Sequence, residues 1–175
     1  TAAGGAQRVR LLLNSAGDVE LECHQLVDTP DRHPLLELPP PPAAPKALRI
    51  DTCRVSSADP RLRHKSTARE VYAEARRRCG VGQSGVDDVL MQNEAGEVTE
   101  TSIYNVALLD EDGRWRTPAA SCGLLAGTMR AELLERGVLY EGVVSVCEVH
   151  AALAAGRQLS VFNSVRGVAL AVLVP

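Results

Sequence analysis

The apolar positions divide the chain into a two-strand lead, a proline-dense gap and a long run of mixed strand and helix periods. In "RVRLLLNSAGDVELECHQL", Val9, Leu11 and Leu13 recur at every second residue, "NSAGD" supplies turn chemistry, and Val19 and Leu21 resume the period. Two strands alone bury no stable face, so this hairpin is expected to join a larger sheet. Residues 28–46, "DTPDRHPLLELPPPPAAPK", predict an extended linker and a domain boundary. "ALRIDTCRV" then predicts a buried strand. Ala68, Val71, Tyr72, Ala75 and Cys79 form the apolar stripe of a helix, with Ser66 or Thr67 as its cap, Glu70 as the capping-box acid and Gly80 as its end. "DDVLMQN" and "VTETSIYNVALLD" predict strands joined by a turn at 93–96, and "RWRTP" a further short strand. "GTMRAELLERG" predicts a helix closed by Gly137, "VVSVCEV" a strand, "EVHAALAAGR" a short helix and "QLSVFNSVRGVALAVLV" the final strands. The mixture of helices and hairpins predicts a mostly antiparallel α/β (α+β) fold rather than a doubly wound one.

Composition narrows the function classes. The 175 residues, 45% of them hydrophobic, suffice for one ordinary domain or a modest domain plus part of another. No apolar run approaches the length of a bilayer span, so no membrane partner is expected. The most basic stretch, residues 60–78 ("PRLRHKSTAREVYAEARRR"), raises nucleic-acid binding through Arg61, Arg63, Lys65 and Arg76 to Arg78. A net charge of −3 and an aromatic content of 3% oppose it, because they leave neither an attracting field nor stacking platforms. The five cysteines form no C-x-x-C pair and the four histidines have no ligand spacing with them. Free thiols, a cytoplasmic setting and no metal site are therefore expected.

Several motifs fail on context. "GVGQSG" at 80–85 matches G-x-G-x-x-G, yet it follows a helix and precedes a strand, the reverse of the dinucleotide-binding order. It reads as a helix-ending loop. Cys122 has no histidine at a diagnostic spacing, so it reads as a core or loop thiol.

Four segments survive together: Lys65 at a predicted helix start in "HKSTAREVY", Glu100 in "EVTETSIYN", the helix opening "GLLAGTMR", and "VFNSVRG" near the end. Glu100, Ser102, Asn105 and Val106 satisfy E-x-S-x-x-N-V, and Thr117 followed by "LAGTMR" keeps a matching spacing. This constellation resembles the class IV aminotransferase family, the fold-type IV pyridoxal-phosphate enzymes. The resemblance runs from about Arg8 to the end, with its specific motifs all beyond the proline-rich segment. It implies pyridoxal 5'-phosphate as cofactor, Lys65 as the catalytic lysine that holds it covalently, and Glu100 as the carboxylate facing the pyridine nitrogen. It further implies that Gly127, Thr128 and Met129 at a helix start bind the cofactor phosphate together with Asn163 and Ser164. The group supporting the cofactor's phenolic oxygen is left open among Arg61, Arg63 and Tyr72.

Within the family, Met129 in the third place of the phosphate-helix motif and "NSVRG" at 163–167 resemble the 4-amino-4-deoxychorismate lyases, and "HKSTAREVY" resembles fungal lyase sequences. That likeness implies release of pyruvate from a small-molecule substrate and formation of 4-aminobenzoate, a step of folate biosynthesis, by a homodimer. A branched-chain or D-amino acid aminotransferase is the alternative, because Lys65 and Glu100 would serve either reaction. The chain departs from the family pattern at Ala107, Trp115 and Thr128. The resemblance also assigns residues 1–27 to a remnant of the family's small N-terminal domain, 28–46 to the linker and 47–175 to the cofactor-binding large domain. A truncated, non-catalytic remnant of the fold is therefore the reading from another class.

Overall fold

Period-two and period-3.6 patterning both find their partners in the structure, a computed structural model that describes residues 7–25, 44–83 and 85–175. These residues fall into two compact units. The first is an antiparallel hairpin of β1 (Gln7–Leu13) and β2 (Val19–Gln25). Asn14 closes its turn by accepting the Ala16 and Asp18 amides at 2.9 Å each. Pairing Leu11 with Leu21 and Leu13 with Val19 puts Val9, Leu11, Leu13, Val19 and Leu21 on one face, and all five are 58–66% exposed. The larger sheet expected for this hairpin is absent among the described residues, since β1 and β2 pair only with each other. The linker at 28–46 lies outside the described residues apart from its last three, of which Lys46 already opens a strand.

The second unit is built on one sheet of eight strands. In chain order they are β3 (Lys46–Val55), β4 (Asp88–Asn93), β5 (Val98–Thr101), β6 (Asn105–Leu109), β7 (Trp115–Pro118), β8 (Leu139–Gly142), β9 (Leu159–Asn163) and β10 (Gly167–Leu173). They lie side by side as β5-β4-β3-β10-β9-β6-β7-β8. The pairs β4–β5, β9–β10, β6–β9 and β6–β7 are antiparallel, whereas β3–β4, β3–β10 and β7–β8 are parallel. The mixed, mostly antiparallel fold expected from the sequence is observed. Four helices pack on it: α1 (Pro60–Arg63), α2 (Glu70–Arg78), α3 (Thr128–Glu135) and α4 (Val146–Ala154). Leu62, Tyr72, Ala75 and Cys79 of the α1–α2 region meet Val89 and Met91 of β4, and Met129 and Leu133 of α3 meet Trp115 and Phe162. On the α4 side, Val149 and Ala152 join Leu48, Leu90, Val106 and Val161. Ala107 and Trp115, two departures from the family pattern, fall in the same cluster, one small and one large side chain.

Three local expectations are corrected. Helix α2 starts at Glu70 with Arg69 at its N-cap, and neither Ser66 nor Thr67 caps it. The missed helix is α1, whose Asp59 cap accepts the Arg61 amide at 2.8 Å and whose first residue is proline, both strong start signals. "VTETSIYNVALLD" is two strands, because the Thr101 hydroxyl accepts the Tyr104 amide at 2.9 Å and turns residues 102–104 out of the ladder. "VVSVCEV" is not a strand. Ser145 accepts the Glu148 amide at 3.1 Å and starts α4, and Val146 and Val149 then face the core at helical spacing.

The arginines of the basic stretch are not a merely solvated face. Arg78 binds the buried Asp51 carboxylate through two nitrogens, at 3.0 and 2.5 Å. Arg76 reaches the buried Asp88 at 3.2 Å and the Ser102 hydroxyl at 2.8 Å. Substitution Arg78→Gln strands a buried carboxylate and is expected to cost about 3 kcal/mol in denaturant unfolding. The exposed neighbour changed as Arg77→Gln should alter stability by no more than about 0.5 kcal/mol.

Candidate functional site

Glu100 lies next to the end of β5, 5% exposed. Its Oε1 accepts the Tyr72 O–H at 2.7 Å and the Leu125 N–H at 3.1 Å. Among the described residues its Oε2 has only the longer contact with the Asn105 amide nitrogen, at 3.4 Å, and so keeps acceptor capacity in hand. Burial pushes the carboxyl up to about 7, against the lowering pull of the Tyr72 and Leu125 hydrogen bonds and of the Arg69 and Lys65 charges. A buried acid in this state favours a cationic N–H beside it.

Asn105 ties this carboxylate to the start of α3. Its amide donates to the Leu125 carbonyl at 2.8 Å, and its Oδ1 lies where a side chain at Gly127 would go. A Cβ at Gly127 would collide with that oxygen, so the approach requires glycine while Asn105 keeps its bond to Leu125. Gly127 is the N-cap of α3 and supplies no side-chain cap, leaving first-turn N–H groups for an anion. The Thr128 and Ser164 hydroxyls stand 2.6 Å apart at the same place.

The sequence-based candidates divide by what their side chains are doing. Asn163 spends its amide on the turn: Oδ1 accepts the Val165 and Arg166 amides at 3.0 and 2.8 Å, while Nδ2 donates to the Ile103 carbonyl at 3.0 Å. It therefore presents Ser164 rather than itself. Met129 is buried in the cluster under α3, which leaves its backbone N–H as the group turned to the helix start. Lys65 is exposed in the segment between α1 and α2, not at a helix start, and its charge reaches Glu100. Arg61 pairs with Asp59 at 2.6 Å and Arg63 donates to the Ser57 carbonyl at 3.2 Å. Tyr72, the third candidate for the phenolic-oxygen partner, donates to Glu100 instead. Cys122 is a buried thiol that burial raises to about 11, as its reading as a core thiol requires.

Sequence reasoning missed Tyr72, Arg69 and the Leu125 N–H as neighbours of Glu100. Tyr72 was visible as a stripe position and as one of three possible partners of the phenolic oxygen, not as a donor to Glu100, and a backbone N–H has no sequence signal. The residues fit pyridoxal phosphate on chemical grounds. A buried carboxylate with a free lone pair suits a protonated ring nitrogen, two hydroxyls at an uncapped helix start suit a phosphate, and a nearby exposed amine suits an aldehyde.

Comparison with known proteins bears on the same region. Residues 10–171 match the family described as amino-transferase class IV, whose members are generally pyridoxal-phosphate-dependent enzymes. A Schizosaccharomyces pombe protein named as an aminodeoxychorismate lyase is 38% identical over 168 residues, covering 95% of this chain and 67% of its own length. The aminodeoxychorismate lyase of Saccharomyces cerevisiae is 31% identical over 118 residues, covering 59% of this chain and 30% of its own. The chain thus spans about two thirds of one curated relative and under a third of the other. A Mesorhizobium loti structure described as an amino-acid aminotransferase superposes with a TM-score of 0.80 at 34% identity, over 99% of this chain and 75% of that one. The 4-amino-4-deoxychorismate lyase structure from Pseudomonas aeruginosa shares the fold, with a TM-score of 0.63 at 22% identity over 91% of this chain and 56% of its own.

The buried carboxyl also sets a pH dependence. Its folded-state value of about 7 lies above the ordinary 4.5, so its favourable contribution is complete below about pH 4.5 and is lost as pH rises through about 7. The variant Glu100→Gln, permanently neutral, should therefore gain on the cofactor-free parent by about 3 kcal/mol between pH 4.5 and 8 in urea unfolding. A gap that does not widen with pH would show that the carboxyl is not raised.

Proposed function

The chain belongs to the amino-transferase class IV family, and we propose that it is the cofactor-binding part of a pyridoxal-phosphate-dependent 4-amino-4-deoxychorismate lyase. The observation that carries the cofactor assignment is the Glu100 carboxylate, buried with an oxygen in reserve and joined through Asn105 to the hydroxylated start of α3. The 38% identity with the Schizosaccharomyces pombe protein, over nearly the whole chain, supports the lyase within the family. The one structural neighbour described above at 34% identity is called an aminotransferase, and this favours transamination as the second reading.

When bound, pyridoxal phosphate withdraws electrons from the bonds of an amine-bearing carbon attached to it. Glu100 would hold the proton at the ring nitrogen, since Tyr72 and Leu125 fix one of its oxygens and leave the other to accept. Thr128, Ser164 and the free N–H groups of Thr128 and Met129 would hold the phosphate. Lys65 would hold the cofactor covalently; freed by the substrate amine, it would take the proton from the amine-bearing carbon and return one to the departing enolpyruvyl group. Its exposed position between α1 and α2 leaves the amine unencumbered for both tasks. A homodimer is part of the same reading.

The test is an absorbance titration of the purified chain with pyridoxal phosphate, followed by assay of pyruvate from aminodeoxychorismate. A visible band of lysine-bound cofactor should form in the parent and vanish in Lys65→Ala, whose pyruvate release should fall by about 100-fold or more. A Lys65-dependent band with keto-acid-dependent transamination and no pyruvate would establish the aminotransferase instead. No band in the parent would favour the non-catalytic remnant.

A further inference from the structure

The catalytic assignment leaves a tightly tied group of α2 side chains without a role. We propose that Tyr72, clamped by Arg69, is a positioning residue that aims Glu100 and favours its ionised form: its O–H donates to Oε1 at 2.7 Å, while the Arg69 guanidinium lies 4.1 Å over the same ring and donates to the Ser102 carbonyl at 2.5 Å. The proposal deepens the functional reading and rests on it only for the ligand that Glu100 serves.

The geometry restricts both partners. The Tyr72 ring is 3% exposed and packed with Leu62, Ala75, Val89 and Met91, so the direction of its O–H is set by the core rather than by the site. Arg69 occupies the N-cap of α2 without capping it. Three residues ahead of Tyr72, it folds over the first turn onto the ring and reaches Ser102, two residues beyond Glu100. One guanidinium thus grips the donor's ring and the chain that bears the acceptor. Arg76, further along α2, ties the same Ser102 through its hydroxyl at 2.8 Å. Strand end and helix cannot separate without breaking all of these contacts.

The electrostatics act in the same direction. Burial and the Glu100 charge raise the Tyr72 phenol, so it stays a donor at neutral pH. A cation over the ring face draws electron density from the hydroxyl and strengthens the donated hydrogen bond. The groups that face Glu100 are Tyr72 and Arg69 from α2, Lys65 from the preceding segment, and the Leu125 N–H and Asn105 amide from across the sheet. Deleting the phenol oxygen leaves Oε1 with the Leu125 N–H alone, and burial then favours the protonated acid, which cannot hold a protonated ring nitrogen.

The experiment is a carboxyl-carbon NMR titration of Glu100 in the full chain with 13C-labelled glutamate, the resonance assigned by its loss in Glu100→Gln. In the cofactor-free protein, Tyr72→Phe should raise the midpoint by about one pH unit. Because phenylalanine keeps the ring volume, melting below about pH 5, where the acid is protonated in parent and variant alike, should change little. A second arm places 3-fluorotyrosine at position 72, a stronger donor of the same shape, and should lower the midpoint. Arg69→Leu should raise it by less than Tyr72→Phe does. Midpoints within a few tenths of the parent in both Tyr72 arms would overturn the proposal, and the fluorotyrosine arm alone decides if the phenylalanine variant does not fold. None of these readings needs the cofactor. A parent that binds no pyridoxal phosphate yet shows both shifts refutes the functional reading and leaves the clamp standing; a Lys65-dependent band with no shifts does the reverse.

Discussion

A carboxylate withdrawn from water is the constraint around which this structure is arranged. Burying Glu100 costs free energy that no full ion pair among the described residues returns; the Tyr72 O–H, the Leu125 N–H and the Arg69 and Lys65 charges offset only part of it. A residue chosen for stability alone would not sit there with an oxygen short of partners. On the proposed reading the imbalance is readiness for a cationic ligand, which would supply the missing partner. The surrounding elements follow from keeping that acid in place. Helix α2 carries Tyr72 and Arg69 to it, and the tight approach of Gly127 to Asn105 brings Leu125 and the start of α3 to its other side.

The same constraint explains two local features that periodicity alone would smooth away. A single continuous strand from Val98 to Leu109 would point Ser102 and Ile103 along the ladder. The Thr101 hydroxyl instead turns them outward, where Arg69 and Arg76 hold Ser102 and Asn163 holds the Ile103 carbonyl. A helix capped at Ser66 or Thr67 would hold Lys65 directly ahead of its cap, against the end of a rigid element. Starting α2 at Glu70 leaves Lys65 on a short connecting segment, free in its side chain yet close enough for its charge to act on Glu100.

Long periodic elements were legible in the sequence because burial enforces them: β3, β4, β9, β10 and the stripe of α2 lie where their apolar spacing puts them. The misread segments are those in which one polar side chain outweighs the apolar run beside it. "VVSVCEV" has strand composition, but the Ser145 cap and Glu148 start a helix, and the period that matters runs from Val146 to Val149. The hairpin of β1 and β2 kept its predicted strands and turn yet not its larger sheet, since alternation specifies a face and not what pairs with the strands. Among the candidate site residues, Lys65, Glu100, Gly127 and Ser164 were nameable from motif order. Their contacts with one another were not, because spacing gives Tyr72 a place in the apolar stripe and does not say where its polar tip is directed.

The arrangement of Asn105 shows why the site's two ends need a neutral link. Glu100 calls for positive charge and the start of α3 for negative charge, and a charged side chain between them would compensate one end at the other's expense. An amide gives Nδ2 to the carboxylate side and to the Leu125 carbonyl while its Oδ1 packs against Gly127, so it fixes the spacing without neutralising either end. An aspartate there would set a second acid beside Glu100 and drive its protonation, and a lysine would satisfy the oxygen that the site keeps in reserve. Asparagine holds the carboxylate and the helix start together while leaving both short of charge, the condition a zwitterionic ligand of matching polarity relieves at once.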